Sequence, residues 1–118
     1  MKPPRLVLGL LFAVLSAPTL AADAEAGLAA VTALGSVNGQ ALACAETRAA
    51  ARAKSLMLAH APKTPRFGAA YEEATQTAFL AQTRSSAPCP DAASLSDQLN
   101  RLALQLAEAL PVAAAAAK

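Results

Sequence analysis

His60, Cys44 and Cys89 are the only imidazole and thiol side chains in the 118-residue sequence, so any chemistry built on them has few parts. None of the serines sits in a GxSxG nucleophile elbow. Glu72 and Glu73 are adjacent, which on a helix turns them about 100° apart. They do not converge on one substrate, and a solvated face is their expected place. His60 falls on the apolar side of a helical segment, two residues before Pro62, where a partly buried structural histidine also suits the helix dipole. Met57 precedes it by three residues, but one thioether and one imidazole fall short of a soft-metal set. No phosphate loop, dinucleotide fingerprint, HExxH or calcium loop occurs. The expectation is a protein without catalytic residues, metal or cofactor.

The two cysteines read first as a structural disulfide. They lack CxxC spacing, and two thiols with a single histidine make a poor zinc set. A bridge across this separation is worth roughly 4 kcal/mol in the chain-entropy view.

Charge supplies a third candidate. Arg48, Arg52, Lys54, Lys63 and Arg66 lie in a stretch with no acidic residue. Lys63, Thr64 and Arg66 surround a predicted helix start, where free N–H groups favour an anion, so they form a candidate anion site. Nucleic acid is not expected, because no aromatic residue lies between Arg48 and Arg66 to stack on bases.

The N-terminal residues follow the layout of a secretory signal. Lys2 and Arg5 form a basic start, Leu6 to Val14 an apolar run, and Ser16 to Ala22 a small-residue cleavage region. Thr19 and Ala21 set the cut after Ala21. The run is too short to span a membrane, a task that needs about 20 apolar residues. Residues 1–21 therefore read as a cleaved signal, 22–111 as one helical domain, and 112–118 as an alanine-rich tail. Loss of Lys2 and Arg5 leaves eight basic side chains against eight acidic ones. The apparent basicity of the chain then belongs to its targeting segment, and the mature protein is expected in the periplasm or outside the cell, without a membrane anchor.

The elements that would position these residues are helices. Alanine dominates and no segment alternates, which predicts an all-α bundle of three or four helices. The first runs from about Asp23 to Cys44 on Leu28, Val31, Leu34, Val37, Ala41 and Leu42. Gly35 and Gly39 lie one turn apart within it. Each costs about 1 kcal/mol relative to alanine, which predicts a close backbone contact, although Asn38-Gly39 also fits a turn. The second runs from about Glu46 to His60, with Ala49, Ala53, Leu56, Met57 and His60 on one face. The third starts at Thr64 and Pro65. It holds Phe67, Tyr71 and Phe79, which makes it the expected source of the largest core side chains. A loop from Arg84 to Pro90 carries Cys89. Asp91 or Ser94 caps the fourth helix, whose stripe is Leu95, Leu99, Leu102, Leu106 and Ala109.

Leu80 and Leu104 fall off these stripes. Together they form a candidate surface for a protein partner or for self-association. The functional expectation is a non-catalytic periplasmic interaction protein: an adaptor, an inhibitor or a small chaperone. The alternative is a carrier of an anionic metabolite at Lys63, Thr64 and Arg66.

Overall fold

The structure, a computed structural model, describes residue 4 and residues 20–112, with side-chain surroundings from residue 24 onward. The basic start and apolar run of the expected signal lie outside the described residues, residue 4 aside, and so do tail residues 113–118. The described chain forms four helices and no strand: α1 (Leu20–Ala43), α2 (Thr47–His60), α3 (Pro65–Arg84) and α4 (Ala92–Ala109). The all-α expectation holds. The cut expected after Ala21 falls in the first turn of α1.

Helix α1 is unbroken through both glycines. It carries α3 on one side and both α2 and α4 on the other, and α2 and α4 also pack on each other. Gly35 comes against Tyr71 and Ala74, while Gly39 comes against Thr75, Ala78 and Phe79. The contacts advance together along both helices, so α1 and α3 run parallel. A Cβ on Gly35 would sit 2.5 Å from the Tyr71 carbonyl oxygen, closer than real contacts allow. The glycines thus serve backbone approach, and the helix-propensity loss is the condition for it. Between them Asn38, only 8% exposed, donates from Nδ2 to Thr75 Oγ1 at 3.2 Å. The Thr75 hydroxyl donates to the Tyr71 carbonyl at 2.8 Å. Asn38-Gly39 is therefore helix interior, and its amide is satisfied across the seam.

The expected aromatic core is met in part. Phe67 is buried and Tyr71 packs against the core edge, but Phe79 is 38% exposed. Axes this close leave no space between them for a ring, so small residues occupy the seam, and Phe79, about 120° around the helix from Phe67, stands at its flank. The largest fully buried side chains are Val31 and Leu34 of α1 and Leu95, Leu99 and Leu106 of α4. Leu102 completes the predicted α4 stripe. Leu42, placed on the buried stripe of α1 by its spacing, is 50% exposed.

Local signals account for the ends. Asp91, rather than Ser94, caps α4: its Oδ1 accepts from the Ser94 N–H at 2.7 Å. Helix α1 closes with Glu46 N–H on the Ala41 carbonyl and Ala45 N–H on the Leu42 carbonyl. That pair of bonds is the Schellman pattern, and Ala45 occupies its left-handed position at φ 57°. The turn places Cys44 opposite Cys89. The two form the predicted disulfide, with Cα atoms 5.7 Å apart, tying the end of α1 to the segment that enters α4.

Candidate functional site

Helices α2 and α4 meet at both their ends, and each meeting leaves a concave surface. At the C-terminal ends the junction is fixed by His60, whose Nδ1–H donates to the Leu110 carbonyl at 2.7 Å. The bond requires the proton on Nδ1 and satisfies a carbonyl just past the end of α4. Pro111 follows and prevents the helix from continuing. Around the histidine lies a hollow of about 420 Å³, with Leu58, Pro62, Lys63, Leu110 and Val112 among its walls. Leu58 is 60% exposed and Val112 43%, so this end presents large apolar side chains to solvent.

At the N-terminal ends a smaller groove of about 260 Å³ lies between the starts of α2 and α4. Arg48 and Arg52 line it on successive turns, with Ala49 between them and Ala92, Ser96 and Leu99 opposite. Glu46 is the one carboxylate in its lining.

The five basic residues that are clustered in sequence are dispersed in space. Arg48 and Arg52 line the N-terminal groove, Lys54 lines a separate hollow beside Tyr71, and Lys63 lines the hollow around His60. Thr64 and Arg66 are exposed and line neither end. Thr64 stands at the N-cap of α3 without a side-chain cap bond, and Pro65 at the first position removes one donor from that helix start. Of the expected anion site, Lys63 lines the hollow around His60.

Leu80 and Leu104 are also kept apart. Leu104 is 71% exposed on α4, whereas Leu80 is half-buried near the end of α3. Helix α3 leads into the disulfide end of the molecule, and Leu104 lies twelve residues into α4, roughly 18 Å from that end at 1.5 Å per residue. Leu104 stands at a different level of the bundle from Leu80. Glu72 and Glu73 are both exposed on α3. Met57 packs against the core. Among the described residues no group of three histidine, cysteine or carboxylate side chains gathers as a metal site.

The Leu58–Val112 pair escaped sequence reading because Leu58 follows Met57 in an apolar run and Val112 lies beyond the last helix. Their proximity depends on the α2–α4 junction. No helix among the described residues is long and apolar enough to cross a membrane. Compared with protein-family models, characterised proteins and solved structures, the chain matches none of them.

Proposed function

We propose that this chain is a non-catalytic interaction protein of the periplasm, acting as an adaptor, inhibitor or small chaperone. The observation that carries the reading is the shared hollow at the joined ends of α2 and α4, where Leu58 and Val112 stand exposed around His60. Apolar side chains grouped on a concave, polar-edged surface are the usual core of a protein contact. The disulfide supports an oxidising compartment, as does the signal-like N-terminal pattern. Lys63 at the edge would favour a partner with an acidic rim around an apolar centre.

The test is capture from periplasmic extract with the wild-type protein, Leu58→Glu and Leu104→Glu. Burying a carboxylate at the contact should weaken capture by at least about tenfold in Leu58→Glu, while Leu104→Glu keeps it. Equal capture by wild type and Leu58→Glu sinks this surface. Loss confined to Leu104→Glu transfers the contact to the outer face of α4.

A further inference from the structure

The groove between the starts of α2 and α4 has a chemistry unlike that of the apolar end. Its wall on α2 carries Arg48 and Arg52 one turn apart, and its opposite wall is Ala92 and Ser96 over a floor of buried Leu99. Like charges at this helical spacing repel, and Arg52 is partly withdrawn from solvent, which strengthens that repulsion. Glu46 alone leaves the lining with two cations against one carboxylate. Asp91, next in the chain to Ala92, has its Oδ1 engaged by the Ser94 N–H as a helix cap. A carboxylate seated between the two arginines would relieve their repulsion and accept charge-assisted hydrogen bonds from both. A hydrocarbon body attached to it would cover Ala49 and Ala92. The volume of about 260 Å³ lies just under the 300–1,000 Å³ common for drug-sized ligands, which selects a small occupant.

From this complementarity we infer that the groove is a binding site for a small organic carboxylate with an apolar body. The site is separate from the Leu58–Val112 hollow, and the inference stands or falls independently of the protein-partner reading. The carboxylate lies between Arg48 and Arg52, and the apolar body lies against α4. Arg48 and Arg52 determine the charge accepted, while Ala49 and Ala92 determine the preference for hydrocarbon.

Hexanoate is the probe, hexanol its uncharged counterpart, and the oxidised full-length domain the receptor. Titration followed by nuclear magnetic resonance should move the guanidinium signals of Arg48 and Arg52 and the amide of Ala92. Hexanol should bind there at least about tenfold more weakly, as expected for loss of a charge-assisted contact. Arg52→Ala should weaken hexanoate by a similar factor, and Arg66→Ala should leave it unchanged. Acetate, which keeps the charge and lacks the body, should bind more weakly than hexanoate. The proposal is overturned if hexanoate moves no signal at Arg48 or Arg52. Hexanol matching hexanoate, perturbations mapping to Lys63 and His60, or unaltered affinity in a folded Arg52→Ala protein would each overturn it as well.

Discussion

Ala45 holds a left-handed backbone conformation that an L-residue adopts at a cost of roughly 1–2 kcal/mol. Glycine removes that steric cost but adds freedom to the unfolded chain. Ala45→Gly is therefore expected to stabilise the protein by about 0.5–1 kcal/mol in urea unfolding. An unchanged or lower midpoint would show that the turn relaxes in another way. Tyr71 offers a second residue-scale test. Its hydroxyl is buried without a hydrogen-bond partner in the protein, and burial pushes its pKa above the ordinary value for tyrosine. Above a pH of about 10 the unfolded chain loses this proton before the folded one does. Stability from this group is thus complete below that pH and declines as pH rises through the folded value. Tyr71→Phe should remove that part of the alkaline decline. It should also stabilise the protein by about 1 kcal/mol near neutral pH, since the orphaned hydroxyl is gone. Sequence could flag neither position: an alanine gives no hint of a left-handed turn, and a hydroxyl's lack of a partner is a tertiary fact.

At the scale of elements, the glycines of α1 and α3 separate propensity from packing. Gly68 lies in α3 with open space where a Cβ would stand. Gly68→Ala should raise stability by up to about 1 kcal/mol through helix propensity alone. A Cβ at Gly39 would press on the Thr75 carbonyl and the Ala78 side chain. Gly39→Ala should destabilise by about 1–3 kcal/mol despite the same propensity gain. Thermal melts of the two variants should shift in opposite directions, and a shared upward shift would contradict the close seam. The helices themselves were legible because their evidence is local: the leucine spacing of α4, Pro65 at the start of α3, and the prolines that end α2 and α4. The glycine pair announced a close contact without naming the partner. What remained hidden was which faces meet. Leu42 fits the buried stripe of α1 by spacing, yet it is 50% exposed. Arg48 and Arg52 were visible as charge, but the groove they line exists only once α4 returns beside α2.

On the scale of the whole molecule, the disulfide joins the α1–α2 turn to the entrance of α4 across a sequence separation of 45. Restricting that much chain in the unfolded state is worth roughly 4 kcal/mol, which is a large part of the 5–15 kcal/mol typical of a domain. Cys44→Ser with Cys89→Ser should lose about that amount in denaturant unfolding while retaining helical circular dichroism under native conditions. A loss below about 1 kcal/mol would mean that the α1–α4 contact alone holds the ends together. Covalently, the molecule is a ring with two arms: residues 44–89 close the ring, α1 leaves it on one side and α4 on the other. A single cut anywhere in the ring, including the exposed stretch before Cys89, opens a circle without separating its parts. A cut in either arm releases a fragment held only by packing. The stretch from the end of α3 to Cys89, like the turn between α2 and α3, is thus a place where the backbone can be severed while all four helices remain in one covalent molecule.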